Sequence, residues 1–256
     1  MKNFRQQLVL LLFFVISFHI FGQVKNDTLT FPEGDKYVGS LSNGNMDGYG
    51  VMLWKNGDKY EGYWRKGMHE GHGIMTWISG DKYDGEWKNG IQNGKGLMIW
   101  PNGDKYDGYH KDGLMSGYGV MEWVSENKKY VGEWKNGKQN GKGTMTWANG
   151  DRYDGYHKDG ELDGYGVMYW QTGNKYEGQW KNGKQNGKGT MTWFDGNKYT
   201  GHHKDGVLDG KGEMIWTNGD TYKGQWKEGK EEGRGVMRYS NGVIYRGHFE
   251  NGKFVK

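Results

Sequence analysis

A tyrosine-centred motif recurs along almost the whole chain, and its fixed period constrains the fold more than any other feature. Successive tyrosines lie 23 residues apart, with one interval of 24 residues between Tyr106 and Tyr130. A fixed period of this length is the signature of a repeat architecture, in which each unit packs only against its neighbours. The recurring tyrosines are Tyr37, Tyr60, Tyr83, Tyr106, Tyr130, Tyr153, Tyr176, Tyr199, Tyr222 and Tyr245.

Each unit has the alternation of a β-hairpin. With the tyrosine as position 1, glycine recurs at positions 3, 8, 12, 14 and 21, which hold 46 of the 48 glycines. Large and small residues alternate over positions 1–6 and 14–18, and a period of two predicts strands. Positions 1, 3 and 5 then share one face with positions 14, 16 and 18. The predicted core residues are Tyr130, Trp134, Met145 and Trp147 in the fifth unit and Tyr176, Trp180, Met191 and Trp193 in the seventh.

Glycine and asparagine place the turns of the predicted hairpins. The Asn-Gly pairs at positions 20 and 21, such as Asn56-Gly57, predict a tight turn in which both residues adopt positive φ. Glycines at positions 3 and 14 leave room for a tyrosine or tryptophan ring to lie on the backbone. The fold class is therefore all-β: an elongated, single-layer antiparallel array of β-hairpins with roughly 20 strands, about 95 Å long.

The chain divides into a leader, a cap and the array. Residues 1–22 combine Lys2 and Arg5 with an apolar run from Leu8 to Phe21, which predicts a signal peptide. Cleavage near Gly22 is expected, with an uncleaved anchor as the alternative. Residues 23–36 form an N-terminal half-repeat cap, and residues 37–256 form nine full repeats plus a C-terminal partial repeat. Export predicts a periplasmic, extracellular or peripheral location at the envelope.

Charge and composition exclude several classes of function. The chain has 35 basic and 31 acidic residues, and loss of the leader removes Lys2 and Arg5 to leave 33 basic residues. A near-neutral chain predicts no nucleic-acid binding. Because the chain has no cysteine, it can form neither disulfides nor zinc–thiolate sites.

No catalytic, cofactor or metal site is expected. His110, His157 and His203 recur every second repeat, about 19 Å apart for four strands, so they cannot share a metal ion. We interpret them as residues that fill a tryptophan position. Aspartates follow the glycine of position 21 in several repeats, where we expect turn carboxylates that face water, alone or paired with the following lysine. These are Asp58, Asp81, Asp104, Asp151 and Asp220.

A candidate binding surface comes from the alternation of two repeat types after the second unit. One type carries lysines near the hairpin loops, and the other carries tyrosines on the face opposite the tryptophans. The candidates are Lys138, Lys142, Lys184, Lys188, Tyr109, Tyr118, Tyr156 and Tyr165. Two interpretations remain open: a banded surface for acidic lipid, glycan or protein, or duplication of a two-repeat unit with alternate packing.

The strand sequences YEGYW, YDGEW, YVGEW and YEGQW, each followed by spaced glycines, resemble the MORN repeat. The resemblance covers residues 28–256 and implies a curled, single-layer β-sheet rod. MORN arrays are usually scaffolds, and many have been proposed to bind phospholipid head groups. The chain departs from the repeat pattern where histidine replaces tryptophan, and at Ser125–Lys128, where one extra residue predicts a local bulge or bend.

Three functions follow as hypotheses. The first is a non-enzymatic interaction scaffold that binds a protein partner, since a long array offers an extended binding surface. The second is peripheral binding of an anionic lipid surface, and the third is binding of glycan at the cell wall. Exposed sheet ends also make a homodimer possible.

Overall fold

A computed structural model describes residues 27–256, and the predicted signal peptide, its cleavage site and the first residues of the cap lie outside the described part. Residues 27–256 form one antiparallel sheet of 21 strands, in which each strand pairs with the strands that precede and follow it in sequence. The all-β, single-layer hairpin array predicted from the sequence is confirmed. The strands are β1 (Asp27–Thr30), β2 (Lys36–Ser42), β3 (Asn45–Leu53), β4 (Lys59–Arg65), β5 (Met68–Thr76), β6 (Lys82–Lys88), β7 (Ile91–Ile99), β8 (Lys105–Lys111), β9 (Leu114–Trp123), β10 (Lys128–Lys135), β11 (Lys138–Thr146), β12 (Arg152–Lys158), β13 (Glu161–Tyr169), β14 (Lys175–Lys181), β15 (Lys184–Thr192), β16 (Lys198–Lys204), β17 (Val207–Ile215), β18 (Thr221–Lys227), β19 (Lys230–Arg238), β20 (Ile244–Glu250) and β21 (Lys253–Phe254).

The tyrosine of position 1 is the best buried side chain of each of the nine full repeats, whereas Tyr245 of the C-terminal partial repeat is exposed. Tyr130 has 0% of its surface exposed, and its ring lies over Gly132 and Gly143, which face each other on β10 and β11. A Cβ at Gly132 would lie 2.6 Å from the Tyr130 hydroxyl oxygen and 2.5 Å from the Cα of Gly143. The Tyr130 hydroxyl donates to the carbonyl of Glu133 at 3.0 Å, so its polar end is satisfied. The two glycines therefore form the flat backbone surface on which the ring packs, called here the glycine seat.

The aromatic residues of position 5 join these tyrosines into one ladder. Trp134 contacts Tyr130 edge to face at a centroid distance of 5.2 Å and Tyr106 of the preceding repeat at 5.3 Å. His157 contacts Tyr130 and Tyr153 in the same way, at 5.0 and 5.2 Å. Such contacts run without interruption from Tyr37 to Phe249. Each ring thus shields its neighbours, which is how a single layer buries its apolar face.

The predicted core residues differ in how far they are buried. Tyr130, Trp134, Met145, Tyr176 and Trp180 are buried. Trp147, Met191 and Trp193 are only partly buried and pack against the margins of the ladder. Trp147 and Trp193 occupy position 18, directly after the last residue of the second strand, whereas Met191 occupies position 16 within β15.

The two turns of each repeat differ from the turn geometry predicted from the sequence. At positions 20 and 21 only the glycine has positive φ, for example Gly57 at 98°, and Asn56 does not. The loop between Trp54 and Asp58 thus has the form of a three-residue loop that ends in a left-handed glycine. Both residues have positive φ instead at positions 7 and 8, as in Asn136 at 49° and Gly137 at 77°, which is the two-residue type I′ hairpin.

The acidic residue of position 22 connects neighbouring turns, a role that the sequence interpretation missed. Asp151 accepts a hydrogen bond from the backbone N–H of Gln171 at 2.9 Å, and Asp58 accepts one from Ile78 at 2.8 Å. Asn174 bonds Phe194 in the same way at 2.9 Å. At Asp81 the corresponding residue of the next repeat is Pro101, which has no N–H to donate. Except at Asp81, the position-22 carboxylates therefore connect adjacent repeats rather than only facing water.

The extra residue of the fourth repeat enlarges a turn. The pairing of β9 with β10 runs without a shift from Gly117–Trp134 to Trp123–Lys128, so the expected bulge is absent from this pair of strands. The chain closes instead through the four residues 124–127, with Asn127 at φ 46° in place of the usual glycine. Bulges do occur inside every full hairpin, next to the positive-φ glycine of position 12, as between Gly132 and Trp134 opposite Gly141.

Substitution of Gly143 by alanine tests the seat of the ring. Its Cβ would overlap the hydroxyl end of the Tyr130 ring, which is fully buried. We expect the variant to lose about 3 kcal/mol of stability, the upper end of the usual effect of an overfilled core. Thermal and urea unfolding measure this loss. Thr146→Ala, an exposed position on the same strand, is the control, and equal midpoints for the two variants would show that the glycine seat is unimportant.

Candidate binding surface

The side chains of positions 2, 4, 6, 13 and 15 lie on the face opposite the aromatic ladder, called here the outer face. The alternation of a strand places them there, because positions 1, 3, 5, 14 and 16 face the ladder. The four predicted tyrosines all lie on this face. Tyr109, Tyr118, Tyr156 and Tyr165 expose 46–57% of their surface. Large exposed rings on regular strands are typical of contact surfaces.

The four predicted lysines lie in two rows of the outer face rather than in one cluster at the loops. Lys142 pairs in register with Tyr156, and Lys188 pairs with His202, in the row of position 13. Lys138 pairs with Lys135 beside the type I′ turn, and Lys184 pairs with Lys181. All four lysines are exposed. The structure therefore brings Lys142 of position 13 beside Tyr156 of position 4, and brings lysines together at the strand ends.

Two further tyrosines of this face were missed in the sequence interpretation. Tyr49 and Tyr63 occupy positions 13 and 4, pair in register, and contact edge to face at 5.5 Å. The Tyr49 hydroxyl donates to Glu61 at 3.1 Å, as the Tyr165 hydroxyl donates to Glu177 at 2.7 Å. Their positions in the repeat are enough to place them on the outer face. They were missed because the sequence interpretation relied on the alternation of two repeat types, which starts later in the chain.

Ion pairs neutralise one set of cations on the outer face. Lys175 lies 2.8 Å from Glu177, and Arg152 lies 2.8 Å from Asp154. The hydrogen bond from Lys175, followed by that from Tyr165, lowers the pKa of the Glu177 carboxyl below its ordinary value. The charged side chains of positions 2 and 23 thus form a band in which cations and carboxylates neutralise each other.

A second set of cations lies at position 6, at the ends of eight successive first strands, and is called here the strand-end row. All eight side chains are exposed, and none lies within an ion pair in the part of the chain that the structure describes. Their spacing is two strands, or about 10 Å. The row consists of Arg65, Lys88, Lys111, Lys135, Lys158, Lys181, Lys204 and Lys227.

Comparison with known families agrees with this geometry. The MORN repeat profile matches nine consecutive segments, at residues 37–59, 60–82, 83–105, 106–128, 130–152, 153–175, 176–198, 199–221 and 222–244. The chain belongs to the MORN repeat family. No curated protein matches it at a significant level.

Two solved structures show distant similarity to the MORN array. The TCP10 domain of Danio rerio CPAP, in complex with a peptide of Danio rerio STIL, is 11% identical with a TM-score of 0.43. The alignment covers 87% of this chain and 98% of that chain. The Drosophila melanogaster SAS-4 TCP domain, in complex with a proline-rich motif of Ana2, is 8% identical with a TM-score of 0.24, over 96% of each chain.

The alternation of MORN repeat types has a packing basis on the ladder face. Trp134 pairs with Gln139 and Trp180 with Gln185, whereas His157 pairs with Leu162 and His203 with Leu208. A larger ring at position 5 is thus matched by a polar residue at position 10, and a smaller ring by an aliphatic one. This compensation supports duplication with alternate packing, and it leaves the outer face free to differ.

The histidines of position 5 are buried without a full set of hydrogen bonds. His110, His157 and His203 expose only 3–5% of their surface, and the Nδ1 atom of each has no hydrogen-bond partner. Burial lowers the pKa of each imidazole from 6.5 to about 4. In residues 27–256, no three His, Asp or Glu side chains are grouped so that they could hold a metal ion. No helix within the same residues is long and apolar enough to cross a membrane.

The buried histidines predict that acid destabilises the array. As pH falls below 6.5, these histidines become protonated in the unfolded chain, whereas in the folded chain they stay neutral until about pH 4. Stability is therefore complete above pH 6.5 and falls between these values, by up to about 1.4 kcal/mol per pH unit for each histidine.

The triple variant His110→Phe, His157→Phe and His203→Phe should remove much of this acid sensitivity, because Phe249 already occupies the same position against Tyr222 at 5.0 Å. Melting temperatures at neutral pH and near pH 5 measure the effect. His202→Gln, on the outer face, is the control and should keep the wild-type difference. An unchanged pH dependence in the triple variant would contradict the assignment.

Proposed function

We propose that this MORN array is an exported, non-enzymatic interaction scaffold of the cell envelope, and that it binds a protein partner through its outer face. MORN repeats are binding or scaffold modules as a family. The observation that carries the proposal is the contrast between the two faces. The rings of the ladder face are buried against each other, whereas Tyr109, Tyr118, Tyr156 and Tyr165 remain exposed on regular strands. Exposed rings of this kind commonly mark surfaces that contact a partner.

The leader supports the exported location. Lys2 and Arg5 followed by the apolar run Leu8–Phe21 have the composition of a secretory signal, and the run is shorter than the ~20 residues of a membrane-spanning helix. The absence of cysteine is compatible with an envelope compartment. A scaffold that must work outside the cytoplasm, without disulfides, gains its rigidity from the aromatic ladder.

Anionic lipid is the second candidate, and the strand-end row favours it. Each exposed lysine or arginine near an anionic leaflet contributes about 1 kcal/mol of attraction. Eight such cations in line, about 10 Å apart, could lie along a membrane surface. Acidic turn residues at position 7 in four repeats, namely Asp112, Asp159, Asp205 and Glu228, weaken this attraction. The protein partner is therefore preferred.

Photo-crosslinking in the cells that make the protein tests the scaffold proposal. A photoreactive phenylalanine analogue at Tyr156 or Tyr109 should give a discrete crosslinked envelope protein, because these rings lie at the proposed interface. The same analogue at Ala148, an exposed turn position, is the control and should not give that product. Absence of a discrete product at both tyrosines, or equal products at all three positions, would contradict the proposal.

Vesicle flotation tests the lipid candidate. Purified protein is mixed with phosphatidylcholine vesicles, with or without phosphatidylserine, at low and high salt. If the strand-end row binds lipid, flotation should need phosphatidylserine, should weaken with salt, and should be lost when Lys135, Lys158, Lys181 and Lys204 are all changed to Gln.

The matched control changes Lys59, Lys129, Lys175 and Lys223, which already form ion pairs, to Gln for the same change in net charge. Equal loss of flotation in both variants would show that net charge alone acts. Absence of flotation in the wild-type protein would remove the lipid candidate.

A further inference from the structure

The outer face changes its charge along the array. Position 2 is acidic in five of the first seven repeats and then becomes Thr200, Lys223 and Arg246. The acidic members are Glu61, Asp84, Asp107, Asp154 and Glu177. Position 4 changes in parallel, from Glu86 and Glu133 in earlier repeats to glutamine and histidine in the last ones. The carboxylates that neutralise the earlier repeats are thus replaced toward the C-terminal end.

Cations occupy the centre of the face where these carboxylates end. Lys188, Lys211 and Arg234 hold position 13 in three consecutive repeats, where earlier repeats interleave lysine with tyrosine. They are exposed, and neither they nor Arg246 lies in an ion pair within residues 27–256. Lys223 differs, because it lies 3.2 Å from Glu213. This part of the surface therefore has a net positive charge, which Glu177, Glu213 and Glu250 on the same clefts compensate only in part.

These cations line a continuous depression, called here the C-terminal groove and defined by Lys188, Lys211, Lys223, Arg234 and Arg246. One open cleft of about 490 Å³ is bordered by Lys211, Lys223 and Arg234, and a second of about 780 Å³ by Lys223, Arg234 and Arg246. A third cleft joins Tyr165 and Lys188 to Lys211. Because neighbouring clefts share side chains, the groove runs across the strands, along the axis of the array.

The spacing of the cations selects the conformation of a ligand. Equivalent positions of successive repeats are two strands apart, or about 9.6 Å. A polyproline II chain rises about 3.1 Å per residue with three residues per turn, so every third side chain returns to the same face after about 9.3 Å. An extended β-strand would present same-face side chains about 6.7 Å apart, out of step with the cations. A flat bilayer would meet the rims of a groove before its floor.

From this geometry we infer that the C-terminal groove binds an acidic peptide in the polyproline II conformation, with a carboxylate at every third residue facing Lys188, Lys211 and Arg234. The inference rests on the proposed binding role of the outer face and names the ligand of its C-terminal part. Tyr165, at the N-terminal end of the groove, supplies the aromatic surface on which polyproline II chains commonly dock.

Binding of designed peptides to the purified protein tests this inference. The first probe is a fluorescent peptide of four Glu-Pro-Pro triplets. The second has the same composition with its four glutamates adjacent, and the third has Gln in place of Glu. Fluorescence anisotropy should show binding of the first probe, at least about fivefold weaker binding of the second because only one carboxylate cluster can meet a cation, and no binding of the third.

Paired substitutions locate the site. Lys211→Gln with Arg234→Gln should weaken the first probe roughly tenfold, since two charge-assisted contacts are lost. Lys95→Gln with Lys142→Gln changes the same position of the repeat outside the groove and should leave affinity unchanged. All four side chains are exposed, so unfolding midpoints should match the wild type and exclude misfolding as the cause.

The outcomes separate this inference from the proposed function. Equal binding of the two glutamate peptides, an unaffected Lys211/Arg234 variant, or no peptide binding would overturn the inference. Stronger binding of polygalacturonate, a single-stranded oligonucleotide or phosphatidylserine vesicles than of the peptide would overturn it as well. If the Tyr156 crosslink persists in those cases, the scaffold proposal is still supported. If the crosslink is absent while the peptide binds, the proposal of an envelope protein partner is contradicted and the inference about the C-terminal groove is supported.

Discussion

The packing of one tyrosine ring against two facing glycines determines the rest of the array. In the fifth repeat the ring of Tyr130 covers Gly132 and Gly143, and its hydroxyl bonds the carbonyl of Glu133. A single-layer sheet has no second layer to bury its apolar side, so the ring must be covered by flat contact with its own backbone and by its neighbours. Burial also raises the pKa of these phenols, to about 12 for Tyr176, so they remain uncharged donors at every ordinary pH.

The ladder makes neighbouring repeats dependent on each other. Each tryptophan or histidine at position 5 contacts its own tyrosine and that of the preceding repeat. In all five tryptophan repeats the indole also donates across the boundary, as Trp180 Nε1 does to the carbonyl of Gly166 at 3.3 Å. His157 keeps the ring contacts but makes no such bond, and Leu162 fills the space opposite it. A histidine at position 5 therefore retains the packing of the array and adds a sensitivity to acid that a tryptophan at that position lacks.

The sequence was sufficient for features that depend on a residue and its own hairpin. The period of two predicts which residues share a face of each strand, and the glycines of positions 3 and 14 predict that a ring lies on the backbone. Features that join different repeats could not be predicted. The bond from Gln171 to Asp151 crosses 20 residues, and whether a lysine is paired depends on which carboxylate the register places beside it. The same limit explains Trp147, whose partial exposure follows from its place beside a turn.

Turn geometry shows a further limit of local sequence. Asn-Gly supports both a type I′ turn and a longer loop that ends in a left-handed glycine, so Asn136-Gly137 and Asn149-Gly150 adopt different geometries. The distinction comes from the strands that flank each pair: Lys135 pairs with Lys138 across two residues, whereas Thr146 pairs with Arg152 across five. Local preference thus allows two loops, and the pairing of the sheet selects one.

The ladder face and the outer face have different roles, which explains how a repetitive fold can carry a surface whose two ends differ. Position 1 is tyrosine in all nine full repeats because every ring needs the same seat, but position 2 changes from Glu61 to Arg246 without disturbing the ladder. A uniform array would accept a long ligand in many equivalent registers, each shifted by one repeat. A face that runs from acidic and aromatic to basic reduces this degeneracy, since the charges of an acidic ligand align with uncompensated cations only at the C-terminal end of the array. The gradient therefore supplies specificity that the repeat alone cannot.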